Sequence, residues 1–509
     1  MSKYSKAIVA SGHPLVSEAA ASVLKEGGNA FDALVAAGFA SSAVEPALNS
    51  LGGGGLLLGH SAAKGQNLYF DFFVDTPGLG LTNKISDPHF FPVTVQFSGS
   101  AQDFNVGFGS VAVPGTLKGL LHTHKRLGYM DLADVLAPAV KLAESHQLNQ
   151  HQAYFLKLLR PIMTLFPEGK MIYEPDGIYL QEGDQQQNKK LADFCSTLAQ
   201  DGGESFYYGE IAQKIERSMQ ENDGLLTRQD LAAYQVKERP PIAVNFRDYQ
   251  FFTAAKPSMG GALIGLSLSL QSKGTPPDYD FGSKEYLLHT AGLMQEVEKI
   301  RESGFQTGSD LQQFLENNEA TDTATDNIRM FSRGTTHISI ADKDGNCAAM
   351  TCSNGEGSGC FAPGTGIMLN NMMGEDDLHP EGFHTSPPGQ RVGSMMSPSL
   401  LIKNNEVKLV IGSGGSKRIR TAMSQVLTQV VDFNHHVQEA VDAPRLHWDG
   451  EQLQIEPGFP AEAIEQLQKQ VACNEWKARG VYFGGVHAVI PGKEGAADPR
   501  RGGKVIEVE

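Results

Sequence analysis

Residues 334–346 read Gly-Thr-Thr-His-Ile-Ser-Ile-Ala-Asp-Lys-Asp-Gly-Asn and set Thr335 at the head of an expected strand, directly after a polar segment. A cut between Gly334 and Thr335 would free an α-amine beside the Thr335 hydroxyl, so that one residue would hold both nucleophile and base. The chemistry implied is self-processing followed by hydrolysis of an amide. The strand is expected to return as a hairpin. A three-residue loop over Lys343, Asp344 and Gly345 places Thr335 opposite Ser353, whereas a two-residue Asp344-Gly345 turn places it opposite Asn354. Either register returns a hydrogen-bonding side chain to the nucleophile. His337 lies on the same strand face as Thr335 and is read as structural, because the α-amine makes a second base unnecessary.

Acyl transfer also needs donors aimed at the oxyanion that forms on the attacked carbonyl. Gly414 and Gly415 lie between an expected strand over 407–411 and a helix whose apolar positions are Ile419, Met423, Val426, Leu427 and Val430. Backbone N–H groups at such a helix start suit an anion, and the pair serves equally well as a plain strand-to-helix turn. The spacing is neither that of a Walker A loop nor that of a dinucleotide fingerprint.

The elements that must position these groups occur on both sides of residue 335. Residues 6–10 read as a buried strand and 15–26 as a helix stopped by Gly27-Gly28, and Asn29 caps a second helix that contains Asp32 near its start. Four glycines at 52–55 precede a strand over 56–58 and are read as a turn. Residues 117–220 show mainly helical spacing, 241–246 strand character, and 262–302 helical spacing again. Residues 306–333 are acidic, polar and Thr-rich, and are expected to form an exposed, mobile link. Beyond the hairpin, a loop over 354–366 and strands near Ile367 and Leu400 are expected. Neither side of the link looks self-sufficient, so a single composite domain is expected.

Composition excludes several classes. A formal net charge of −16 and a pI near 5.4 would repel a phosphate backbone, so nucleic acid is not an expected partner. The most apolar window, 30–44, is too short to span a bilayer, and the start of the chain lacks a secretory h-region, so the cytoplasm is the expected compartment. Five cysteines without a Cys-x-x-Cys pair argue against a disulfide framework or a zinc site.

The string from Thr335 to Asn346 resembles the processing-site signature of the gamma-glutamyltransferase family, whose members are N-terminal nucleophile hydrolases. Further blocks are similar in the family's order, among them Leu51-Gly-Gly-Gly-Gly55, Pro257-Ser-Met-Gly-Gly261, Leu369-Asn-Asn371, Gly412-Ser-Gly-Gly415 and Asp498-Pro-Arg500. The resemblance covers almost the whole chain. It implies an α+β fold, a four-layer αββα sandwich, made jointly by a large fragment, 1–334, and a small fragment, 335–509, that stay associated after autocleavage. It also implies a small-molecule amide substrate and no metal or organic cofactor, and leaves a homodimer open. By position, Ser353 stands for a family Thr that hydrogen-bonds the nucleophile, and Gly414 and Gly415 match the oxyanion glycines. Glu375 falls where an acidic residue holds the substrate's α-amine, or Asp376 if the register moves by one.

The departures concern recognition. Relatives that use glutathione place an Arg on the glutamyl α-carboxylate in a block resembling 71–77, but this chain has no Arg before Arg126 and Lys84 is the nearest cation. A Lys does not reproduce bidentate binding of a carboxylate. A family Ser pair appears as Ser394-Met395, a family Asn aligns with Gly355, and a Gln beside the substrate aligns with Met372. Cleavage of gamma-glutamyl amides is therefore expected, with an acylase for another small amide, or an unprocessed scaffold protein, as the alternatives.

Overall fold

A computed structural model describes residues 2–83, 85–97, 100–302, 334–379 and 381–509. The expected link over 306–333 and Lys84 lie outside the described residues.

Local chemistry starts the helices where the sequence indicates. Pro14–Lys25 opens with Pro in its first turn and the His13 ring accepting from the Leu15 amide at 3.1 Å. Ala30–Val44 opens with a reciprocal capping box between Asn29 and Asp32. All residues of that second helix are buried, as expected of a helix without a polar face.

Two antiparallel sheets form the middle layers. The first has the order Lys504–Val508, Ala7–Ser11, Thr336–Ala341, Cys347–Ser353, Gly54–Ser61, Gln66–Phe72 and Lys237–Arg239. The second runs Glu494–Ala497, Gly485–Ile490, Glu406–Gly414, Ser399–Lys403, Tyr249–Thr253 and Ile242–Phe246. Strands from either side of residues 303–333 thus enter both sheets; they interleave in the first and lie side by side in the second. The chain passes from one sheet to the other at Pro240-Pro241, where the missing N–H groups end one ladder before the next begins.

Side-chain alternation assigns the layers. Ile338 and Ile340 face the helices, packing with Phe31, Leu34 and Leu120. Ala341, Cys347 and Ala349 face the second sheet, packing with Leu401, Leu409, Ile411 and Val486. Helices Gly260–Ser272 and Arg418–Val431 close the far side through Ile264, Leu268, Ile419 and Met423. The order helix, sheet, sheet, helix is the expected αββα sandwich.

The hairpin takes the three-residue-loop register. Thr336 pairs with Cys352 and Ala341 with Cys347, Asp342 N–H donates to the Asn346 carbonyl, and Gly345 has φ +96°. Thr335 therefore meets Ser353 rather than Asn354. Two details were not expected: a hairpin of Phe91–Phe97 with Ser100–Val106, and a short strand Phe361–Ala362 inside the expected 354–366 loop, which pairs with the expected strand at Ile367–Met368.

The two sheets approach closely at Gly412, where an added Cβ would lie 2.1 Å from the His337 ring. Gly412→Ala is expected to cost roughly 1–3 kcal/mol by overpacking and to lower the melting temperature. Gly480→Ala, with nothing within 4 Å of the new carbon, should leave it unchanged; calorimetry of both variants checks this.

Candidate active site

Thr335 sits just before the first ladder pair of its strand and is 5% exposed. Its hydroxyl donates to Ser353 Oγ at 3.4 Å. Ser353 Oγ in turn donates to the Gly334 carbonyl oxygen in a short hydrogen bond and accepts from the Gly355 amide at 3.1 Å. One hydroxyl thus touches both the proposed nucleophile and the carbonyl it would attack. Glycines make room for this contact: a Cβ on Gly53 would lie 2.3 Å from the Ser353 carbonyl oxygen, and one on Gly334 would lie 1.7 Å from that of Gly355. The glycine run at 52–55 is a close-packing device as well as a turn.

Gly414 ends the strand Glu406–Gly414, and a Cβ there would lie 2.3 Å from the Thr335 carbonyl oxygen. Gly415 follows with φ +124°, a conformation that favours Gly. The strand-to-helix turn is therefore pressed against the main chain of Thr335. His337 is wholly buried, with Nδ1 2.8 Å from Thr351 Oγ1 and Nε2 2.9 Å from Ser339 Oγ. Burial holds it well below its ordinary pKa, so both ring nitrogens are engaged in a neutral, structural histidine.

Among the expected recognition residues, Gly355 and Glu375 join this cluster. Gly355 has φ +62°, and a Cβ there would lie 2.3 Å from Glu375 Oε1 and 2.0 Å from Asn371 Oδ1. Glu375, 8% exposed, is the acid that reaches Gly355, while Asp376 opens the short helical turn Asp376–Leu378. Met372 is buried in the apolar cluster with Phe73, Val392 and Met396. Ser394 Oγ accepts from the Met396 amide at 3.0 Å, and its carbonyl accepts from the Met259 amide at 2.8 Å. Met395 packs beside Ala262 and Leu263. Ser394 and Met395 are thereby tied to the start of helix Gly260–Ser272, and their contacts do not include Thr335.

Several charged groups escaped the sequence reading. Among the described residues two guanidinium groups reach the 71–77 block: Arg239 meets Asp71 at 3.2 Å, and Arg391, from the far side of the link, contacts Asp71 and Asp75 at 2.5 Å each and gives Nη2 to the Gln235 carbonyl. Arg126 instead pairs with Glu238 at the surface. A second buried set joins Arg445 to Asp498 at 2.7 Å, Arg500 to Asp498 at 3.1 Å, and Arg500 to Glu456 at 2.5 Å. It holds the turn Pro499–Arg501, from which Arg501 Nη1 donates to the Thr335 carbonyl at 3.5 Å. Glu45 accepts from the hydroxyl of Thr336, the next residue. Asp498 and Arg500 lie in a family block, but their partners Arg445 and Glu456 lie 53 and 44 positions away, and Glu45 lies 291 positions from Thr336, so no local spacing joins these pairs.

The four-layer sandwich with a threonine at the head of a central strand is that of the N-terminal nucleophile hydrolases. The sequence model of gamma-glutamyltranspeptidase matches residues 16–508, and the chain belongs to that family. It is 31% identical to the glutathione hydrolase proenzyme of Escherichia coli, over 97% of this chain and 90% of that one. It is 29% identical to the acylase ACY 1 proenzyme of a Pseudomonas species, over 91% and 86% respectively. A solved cephalosporin acylase from Bacillus halodurans shares the fold with a TM-score of 0.82 at 24% identity, covering 99% of this chain and 96% of that one. A chain of Helicobacter pylori gamma-glutamyltranspeptidase aligns at 30% identity with a TM-score of 0.52, over 62% of this chain and 91% of that one. The protein is an enzyme of the gamma-glutamyltranspeptidase type.

Two predictions follow from the contacts. Ser353→Ala should slow the appearance of two fragments on a denaturing gel by about 10²-fold, the usual effect of losing one donor to a developing oxyanion, while Ser353→Thr should stay close to wild type. Asp498→Asn should destabilise by about 3–5 kcal/mol, because it leaves the buried Arg445 guanidinium without its carboxylate partner. The arginines hold the Asp498 carboxyl well below the usual carboxylate range. Its contribution is thus present above about pH 4 and lost as pH falls further, so the variant's deficit in denaturant melts should shrink in acid.

Proposed function

We propose that the chain cleaves itself between Gly334 and Thr335 and then hydrolyses or transfers gamma-glutamyl amides such as glutathione through an acyl-threonine. The observation that carries this is the Ser353 hydroxyl, in contact with both the Thr335 hydroxyl and the Gly334 carbonyl. Attack of Thr335 Oγ on the Gly334 carbonyl carbon breaks the C–N bond, forms an ester and passes a proton to the departing Thr335 amine. Water then cleaves the ester, which leaves a Gly334 carboxylate and restores the hydroxyl. The strand Thr336–Ala341 stays paired on both sides, so the new chain end keeps its place.

In turnover the freed α-amine accepts the Thr335 hydroxyl proton as the oxygen attacks the substrate carbonyl. Main-chain donors of the Gly414-Gly415 turn stabilise the oxyanion, and Ser353 orients the nucleophile. The leaving amine takes the proton, and water or an acceptor amine then removes the acyl group from Thr335. Glu375, beside Gly355, binds the substrate's α-ammonium group.

A second reading, an acylase for small amides without a free glutamyl carboxylate, is favoured by Met372 and Met395, whose side chains offer no hydrogen bond to a carboxylate. Arg391 and Arg239, the guanidinium groups on the 71–77 block, already answer its aspartates. The losses concern charge-assisted bonds of about 1.5–3 kcal/mol each. A γ-glutamyl anilide and a panel of apolar acyl anilides, assayed side by side, separate the two readings. Faster release from the glutamyl compound supports the first and faster release from the others supports the second. Thr335→Ala should abolish all turnover, and any retained activity would contradict both.

A further inference from the structure

Glu45 follows the helix Ala30–Val44 and is 6% exposed. Thr336 Oγ1 donates to this carboxylate and lies 3.2 Å from each of its oxygens. Arg501 supplies positive charge to Glu45 and gives Nη1 to the Thr335 carbonyl at 3.5 Å. Gly12 leaves the space for this arrangement: a Cβ there would lie 3.3 Å from Glu45 Oε1, 3.3 Å from His487 Nε2 and 3.4 Å from Thr336 Oγ1. The end of the first strand, the end of the second helix, the head of the nucleophile strand and the Pro499–Arg501 turn thus converge behind Thr335.

Of the other titratable groups around Glu45, the histidines and the Cys352 thiol, which burial raises, are neutral near pH 7, and Arg501 is charged. Burial lowers His487 and His13 to about 4 and also lowers His151, which lines the same small cavity as His13, Glu45 and Arg501. Arg501, lowered by burial to about 10, keeps its charge. A buried carboxylate carries a desolvation penalty of several kcal/mol, and a neutral side chain would fill the site at lower cost.

What the carboxylate adds is control of one peptide plane. The Thr335 carbonyl and the Thr336 side chain flank the 335–336 peptide, and each is held by one member of the pair. Rotation of that plane would swing the Thr335 hydroxyl away from Ser353, and displacement of a reacting group by about 1 Å can cost 10²-fold in rate. We propose that Glu45 is a positioning residue for the nucleophile: with Arg501 it fixes the peptide between Thr335 and Thr336, and so aims the Thr335 hydroxyl at the carbonyl it attacks. This assignment rests on Thr335 being the nucleophile.

The carboxylate form accepts the Thr336 hydrogen bond, and burial raises Glu45 from 4.5 to about 7. That form accumulates as pH rises through about 7, so self-cleavage should accelerate across that range. The precursor has no free Thr335 amine, so titration of the amine cannot mimic the effect.

The test uses the full-length chain, translated briefly in a cell-free system, shifted to buffers on either side of neutrality and followed on denaturing gels. Thr336→Val, which keeps the shape and removes the hydroxyl, should slow fragment formation at least tenfold, and Thr336→Ser should restore it. Glu45→Gln should be slow and should lose the rise in rate near neutrality. If Glu45→Gln fails to fold, the Thr336 pair decides alone, since wild-type cleavage by Thr336→Val overturns the proposal. Wild-type rate and pH dependence in Glu45→Gln would overturn it equally. A wild-type chain that never cleaves removes the nucleophile assignment and this one with it, whereas a cleaving wild type with unaltered variants removes this one alone.

Discussion

The pairing of strand Thr336–Ala341 between Ala7–Ser11 and Cys347–Ser353 is the constraint on which the rest of the structure depends. An amine-and-hydroxyl catalyst requires a chain end, and chain ends are ordinarily the least ordered parts of a protein. Here the residue that would become a terminus precedes a strand with ladders on both sides and packed layers on both faces. The same interleaving explains how two fragments of one precursor stay together. Each supplies strands to both sheets, and neither could bury its apolar faces alone.

Close approach at glycine positions is what lets the hydroxyls meet. Gly53, Gly334, Gly355, Gly412 and Gly414 each stand where a methyl group would overlap a main-chain or side-chain atom of the nucleophile hairpin or its neighbours. The charges behind the site do different work. Asp498, with Arg445 and Arg500, fixes the turn that presents Arg501, and Arg391 ties the 71–77 block to the C-terminal part of the chain. These buried pairs are costly to assemble and costly to break, so they fix relative positions more than they add stability.

Much of this was legible in the sequence because the informative interactions there are local. The Asn29 cap, the helix that follows it and the hairpin need only a few neighbouring residues, whereas the sequence left both Ser353 and Asn354 open opposite Thr335 and the structure selects Ser353. Fold class came from family blocks, not from periodicity. What the sequence concealed is long-range: Glu45 meets Thr336 across 291 positions, Arg391 meets Asp71 across 320, and Arg501 meets Thr335 across 166. The guanidinium groups on the 71–77 block come from Arg239 and Arg391, both distant in sequence, and both are paired with the block's own aspartates. Ser394 and Met395 illustrate the converse: their place in the motif order was plain, yet their contacts are with the start of a neighbouring helix.

On the proposed function, a single hydroxyl, that of Thr335, performs both the cut that creates the active enzyme and the acyl transfer that follows. Peptide mapping by mass spectrometry, after brief exposure of the purified protein to a slowly deacylating anilide and an acid quench, tests it most directly. The acyl mass is expected on the first residue of a fragment beginning at Thr335. An adduct on any other residue, or an intact chain that still turns over substrate, would contradict it.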